Sequence, residues 1–380
     1  MEEVILSLII IFLAITVIPL FSKKIGFPVI VVEIVFGIIL GKSFFNIIPS
    51  HSIIDFFSVF GLVYLMFLAG LEIDFGRVKK QLFEAIIITM SSVSVPFLAG
   101  ASLARYVNVH PLILGTVFST TSLGLVLPLT KELRKEKKIL QVLLSSVILV
   151  DMISMFLLAF SLGIVMDHLK ISFLYSMLAV LSLFLIPWMI NKKNVRKRIE
   201  KWVSEKSHFE MEVRFSFALI FLFSAVSEIL GFHSIIGAFV AGLIISELTP
   251  KASLLEKKLE GFGYGFFIPL FFIFTGAKVN LQAIFGNVES VLILFAIVIF
   301  GILSKFLSVF IAAKATKYNV RESLSLGFFH GARLSLIIAL ADVGLREGFI
   351  SIGLFSMLII LAVTSAILCP SLGKFILKKK

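Results

Sequence analysis

The sequence predicts an all-α polytopic membrane protein, and three observations predict it. Hydrophobic residues make up 59% of the 380 positions and charged residues only 15%, against roughly 45–50% and about 25% in soluble globular chains. The apolar residues, 41 Phe among them, come in runs long enough to cross a bilayer. The basic residues fall between those runs and alternate in density from one gap to the next.

A helix crosses the hydrocarbon core in about 20 residues. By that measure the chain carries thirteen candidate transmembrane helices, at about 3–21, 27–45, 54–71, 82–104, 111–129, 139–164, 172–190, 210–230, 233–248, 261–277, 289–313, 323–344 and 348–373. With Lys305 and Arg333 set aside as lying inside spans, even-numbered gaps hold only Lys42, Arg105, Lys170, Lys278 and Arg346. All other Lys and Arg follow odd-numbered spans. The positive-inside bias then places the N-terminus outside and the C-terminus in the cytoplasm. The expected location is the cytoplasmic membrane, with the lipid bilayer as partner.

This alternation accounts for the net charge of +12 as a topology signal, and no aromatic-interleaved basic patch occurs, so no nucleic acid is expected. Glu2 and Glu3 stand where a cleavable signal would carry basic residues. The single cysteine, Cys369, excludes an internal disulfide and any Cys-based cluster. No pair of His has metal-ligand spacing, and no phosphate loop or nucleophile elbow appears. Neither an enzyme nor a cofactor is expected, beyond a transported monovalent cation and proton.

The two halves resemble one another. Gly26-Phe27 and Gly37 recur as Gly231-Phe232 and Gly242, and the run from Leu65 to Asp74 recurs from Leu270 to Asn280. The offset amounts to seven spans, an odd number, so the second copy enters the membrane from the opposite side. Residues 1–380 therefore read as one transmembrane domain. Inverted repeat 1 covers about 1–164, a linker helix and cytoplasmic loop about 165–209, and inverted repeat 2 about 210–380. Such repeats are the architecture of alternating-access transporters, whose sites lie near the midplane where broken helices meet.

A charge inside the bilayer costs roughly 2.5–3.5 kcal/mol even on the lenient insertion scale. Asp151 sits at the centre of span six among apolar and small residues, and is the expected binding site for both cation and proton. Lys305, deep in span eleven, is its natural counter-ion and breaks the symmetry of the repeat. Spans five and twelve look breakable. Thr120, Thr121 and Ser122 in the one offer ligands for a dehydrated cation, although hydroxyl runs also glue membrane helices together. In the other, Arg333 and Ser335 are accessory candidates. Glu33 and Glu228 would line an access funnel or serve as packing and interfacial carboxylates.

Several of these motifs carry a resemblance. Gly26-Phe27-Pro28, Glu33, Gly37 to Gly41, Phe67 to Asp74 and Glu228 to Gly242 are similar to the monovalent cation:proton antiporter-2 family. That family includes bacterial sodium/proton exchangers and Kef-type potassium efflux systems. The resemblance implies a homodimer in which a dimerisation domain holds a mobile core that moves like an elevator. It also implies crossed discontinuous helices at spans five and twelve, the ion-binding acid at Asp151 and the membrane lysine at Lys305. Two departures stand out: Val150 occupies the place of the usual acidic or polar partner before Asp151, and Ser335 that of a glutamate paired with Arg333. With the sequence ending at Lys380, a Kef-type nucleotide-binding domain is not expected.

The expected function is secondary antiport of a monovalent cation, sodium first, for protons. A Kef-like potassium/proton efflux carrier is the alternative. A non-transporting sensor subunit is a third, favoured only by the missing partner of Asp151.

Overall fold

The computed structural model describes residues 2–49, 51–73, 81–126, 137–165, 210–248 and 254–378. All regular structure among them is helical. The helices are α1 (Glu2–Ile25), α2 (Val29–Leu40), α3 (Ser52–Leu71), α4 (Leu82–Leu103), α5 (Pro111–Ser119), α6 (Leu123–Val126), α7 (Lys137–Val165), α8 (Met211–Ile229) and α9 (Ser234–Leu248). They continue with α10 (Leu254–Phe262), a π-helical turn (Gly263–Phe267), α11 (Ile268–Lys278), α12 (Gln282–Phe285), α13 (Val288–Ala315), α14 (Val320–Gly331), α15 (Ser335–Arg346) and α16 (Ile352–Lys378). Among the described residues, eight helical stretches are long and apolar enough to cross a membrane, and three shorter apolar ones cover Val29–Leu40, Pro111–Val126 and Ser234–Leu248. Helices suit this composition because hydrocarbon offers the backbone no hydrogen-bond partner, so every amide must be satisfied within its own segment.

The expected span at 172–190 and nearly all of the linker lie outside the described residues. Helix occupies each of the other expected stretches, with shifted ends. The tenth runs continuously from Leu254, through the π-turn, to Lys278. Its first turns carry Glu256, Lys257, Lys258 and Glu260, so a hydropathy reading starts the span too late. A helix does not stop where hydrophobicity does.

The chain divides into two compact units. One comprises Met1–His51, Phe75–Leu158 and Phe272–Lys380, the other Ser52–Asp74 and Ala159–Phe271. In the first unit, α2 crosses the end of α11. A Cβ on Gly37 would stand 2.1 Å from the Ile273 carbonyl oxygen, and one on Gly276 would stand 2.2 Å from that of Ile34. In the second, α3 crosses α9 in the same manner. A Cβ on Gly70 would stand 2.1 Å from the Phe239 carbonyl oxygen, and one on Gly242 would stand 2.0 Å from that of Phe67. Only glycine permits such backbone contact. Gly242 and Gly276 are the sequence mates of Gly37 and Gly70, so each crossing pairs an element of one half of the chain with an element of the other. The mates Gly26 and Gly231, which close α1 and α8, also share a φ of +81°.

In the second unit, Tyr64 on α3 donates to the Leu259 carbonyl at 3.0 Å, and Phe60 meets Phe267 edge-on at 4.7 Å. The π-turn thus packs directly against α3.

Candidate functional site

Both interrupted helices belong to the first unit. The fifth expected span begins at α5, where Pro111 occupies the first turn and His110 caps Leu112. It ends at Ser119, and Thr120 is extended with ψ 156°. Helix resumes only at Leu123. The twelfth begins with a capping box between Asn319 and Glu322 and ends at Gly331. Ala332 is extended with ψ 112°, and α15 starts at Ser335. The two interruptions touch: Ser122 Oγ and Ser335 Oγ lie 3.3 Å apart. Ser335 thus carries a hydroxyl contact from the second interruption to the first.

Freed backbone groups at such breaks need partners, and Lys305 on α13 supplies one. It is fully buried. Its ammonium donates to the carbonyls of Ser92 on α4, at 2.8 Å, and of Ser119, at 2.6 Å. Ser119 is the last residue of α5, so the lysine sits at the negative end of a half-helix dipole. The charges acting on Lys305 include Arg333 and Asp151. The sequence suggested Asp151 as its counter-ion; these two hydrogen bonds go to backbone instead, and the carboxylate acts on it electrostatically.

Asp151 is buried on α7, behind an equally buried Val150. The three candidate hydroxyls of the first interruption are all buried but differ in commitment. Thr120 Oγ1 donates back to the Val117 carbonyl at 2.8 Å. Ser122 is engaged with Ser335. Thr121 Oγ1 has no hydrogen-bond partner among the described residues, which leaves it available as a cation ligand. Ser154, which follows Asp151 on the same face of α7, likewise has a buried hydroxyl without a partner among the described residues. No hydrophobicity scan singles out Ser154, because a serine is unremarkable in a membrane helix.

Arg333 lies within the second interruption and is fully buried. Its Nη2 donates to the Gly301 carbonyl at 2.6 Å, and its guanidinium lies over the Phe118 ring, 5.7 Å from the centroid. Three residues earlier, His330 bridges α4 and α7 through Ser92 and Ser146. Sequence reasoning missed His330, since it tested histidines only for metal spacing. It also missed Asp342. That carboxylate, buried on α15, receives Lys278 at 2.7 Å and Arg346 at 2.6 Å. Glu33 is buried on α2, while Glu228 is exposed near the end of α8 in the other unit. Among the described residues, no group of three His, Cys, Asp or Glu could hold a metal ion. Outside the spans, burial and the nearby Glu84 and Glu322 carboxylates push the Tyr318 phenol up to about 12.

Two interrupted helices that meet beside buried charges of both signs, in a multi-pass helical membrane protein, define a carrier of the broken-helix class. The model of the family described as "Sodium/hydrogen exchanger, transmembrane" matches residues 8–379, and the chain belongs to that family. It is 29% identical over 373 residues to the "Probable Na(+)/H(+) antiporter 3" of Methanocaldococcus jannaschii, covering 96% of this chain and 94% of that one. It is 31% identical to the "Putative Na(+)/H(+) antiporter YjbQ" of Bacillus subtilis, covering 96% of this chain and 61% of that protein. The solved structure of the sodium proton antiporter MjNhaP1 from Methanocaldococcus jannaschii shares the fold, with a TM-score of 0.70 at 17% identity over 99% of this chain and 98% of that one. The resemblance drawn from the glycine and glutamate motifs therefore holds at the level of the family.

Proposed function

We propose that this protein exchanges a monovalent cation, sodium first, for protons across the cytoplasmic membrane by alternating access. Asp151 binds cation and proton competitively, with Thr121 and Ser122 as further ligands and Lys305 as the opposing charge. One observation carries this reading: the two helix interruptions meet at Ser122 and Ser335, in a unit that also buries Asp151 and Lys305.

The physical logic is that of a charge in oil. Protonated Asp151 is neutral and crosses the low-dielectric barrier; ionised Asp151 crosses when a cation neutralises it. The empty, ionised form is expensive to move, and that penalty suppresses uncoupled leak. Thirteen spans, two inverted repeats, a cytoplasmic C-terminus and an elevator-like homodimer complete the proposal. The duplicated glycine crossings and the names of the relatives support it.

The test is dequenching of a pH-sensitive dye in proteoliposomes, with sodium, lithium and potassium across pH. Asp151→Asn is expected to abolish exchange while the protein stays folded. Near-normal exchange by that variant would remove Asp151 from the site. Potassium is the second reading, favoured by a Bacillus cereus relative named "Na(+)/H(+)-K(+) antiporter GerN", 25% identical over 361 residues. A stronger response to potassium than to sodium would select it.

A further inference from the structure

His330 occupies the last turn of α14, immediately before the second interruption, and is fully buried. Both ring nitrogens are used. Nδ1 lies 3.2 Å from Ser92 Oγ, and Nε2 lies 2.8 Å from Ser146 Oγ. The tautomer follows from the network. Ser146 Oγ already donates to the Val142 carbonyl at 2.7 Å, so towards the ring it acts as acceptor and Nε2 carries the proton. In the neutral ring Nδ1 is then the acceptor for the Ser92 hydroxyl. Both ring nitrogens are satisfied.

One of its partners holds Lys305 through its backbone carbonyl, and the other lies on the helix that carries Asp151. The backbone carbonyl of Ser92 is one of the pair holding Lys305. Ser146 stands on α7, about one and a half turns before Asp151. Thr89 on α4 donates to the Ser146 carbonyl at 3.2 Å, tying the same two helices at the same level. Here one ring, placed at the end of a half-helix, touches both the residue that anchors the ammonium and the helix that carries the carboxylate.

We propose that His330 is a positioning residue for exchange: from the lip of the second interruption it fixes the spacing between Lys305 and Asp151. That spacing sets how strongly the ammonium competes with proton and cation for the carboxylate. Arg333 is the further charge in this neighbourhood, acting on Lys305. The inference rests on the reading that Asp151 binds the transported ion.

The test uses full-length His330→Asn, His330→Gln and His330→Ala in proteoliposomes, with Asp151→Asn alongside. An asparagine oxygen can accept from Ser92 as Nδ1 does, and a glutamine amide can donate to Ser146 as Nε2–H does. His330→Ala is expected to shift the apparent KM for sodium about tenfold, the scale at which losing an orienting partner acts on a bound ion, and to move the midpoint of the pH profile with it. His330→Asn and His330→Gln each keep one contact and should fall between alanine and wild type. They carry the test should His330→Ala fail to fold. Wild-type KM and pH midpoint in folded His330 variants, beside an inactive Asp151→Asn, overturn the inference alone. Normal exchange by Asp151→Asn overturns the underlying reading, and the inference with it.

Discussion

The ammonium of Lys305 donates at 2.6 Å to the carbonyl of Ser119, the last helical residue before the first interruption. A lysine in this position works for the fold as well as for transport. Lys305→Ala strips the donor from both the Ser119 and Ser92 carbonyls. Each buried group left unsatisfied costs about 1–3 kcal/mol, so a clear drop in Tm is expected together with weakened proton coupling. Thermal melting in detergent and proton-to-cation counting in liposomes measure the two effects separately. A variant indistinguishable from wild type in both would reduce Lys305 to packing.

The threonines of the first interruption separate structure from binding. Thr120→Val removes a hydroxyl that closes the end of α5 on Val117 and should lower Tm, by about 1 kcal/mol of stability for one hydrogen bond. Thr121→Val removes a buried hydroxyl that has no hydrogen-bond partner among the described residues to lose. Its Tm should hold, while the apparent KM for the cation rises several-fold. Unchanged KM in Thr121→Val, measured by dequenching titration, would leave the cation to other ligands.

Asp151 and Lys305 were legible in the sequence because a charge inside an apolar run demands an explanation, and few explanations exist. The interruptions were legible as clusters of Gly, Ser and Thr within otherwise apolar spans. What those residues touch was not. Ser92 and Ser146 are distant in sequence from His330, and a buried serine beside a histidine leaves no periodic trace. Asp342 hid for a different reason: its cations, Lys278 and Arg346, sit at span ends and read as ordinary topology charges. The glycine repeat announced that two copies of a motif exist, yet gave no sign that Gly37 would cross Gly276 rather than its own mate Gly242. Pairings over such distances are settled by packing, which a one-dimensional pattern does not encode.

The glycine crossings make a prediction of their own. A Cβ on Gly242 would stand 2.0 Å from the Phe67 carbonyl oxygen, a backbone atom that cannot swing away. Gly242→Ala should therefore force α3 and α9 apart and destabilise by about 1–3 kcal/mol, the usual scale of overpacking. At Gly26 nothing lies within 4 Å of the added carbon, and only its φ of +81° matters. Gly26→Ala should cost about 1–2 kcal/mol through the left-handed backbone alone. Pairing Gly242→Ala with Gly70→Ala distinguishes the mechanisms. Both mutations burden one crossing, so their effects on Tm should be non-additive, whereas Gly26→Ala should add independently.

Asp342 tests whether a buried carboxylate in this fold is structural. Lys278 closes α11 and Arg346 closes α15, and each takes one oxygen of the same carboxylate, Oδ1 and Oδ2 respectively, while keeping 25% and 24% of their side chains exposed. Removing one partner of a fully buried pair costs roughly 3–5 kcal/mol. Asp342→Ala should cost less, because the partial exposure of the two cations lets water recover part of their solvation. The loss should still exceed that of replacing either cation by methionine, since the remaining cation continues to neutralise the acid. A triple replacement, Asp342→Leu with Lys278→Met and Arg346→Met, removes the charges together and should regain much of the Tm lost in Asp342→Ala. If the triple variant regains Tm and also exchanges cations normally, the cluster is a brace between α11 and α15. If it regains Tm but loses exchange, Asp342 is a second acid on the transport path, and the account of a single competing carboxylate at Asp151 fails.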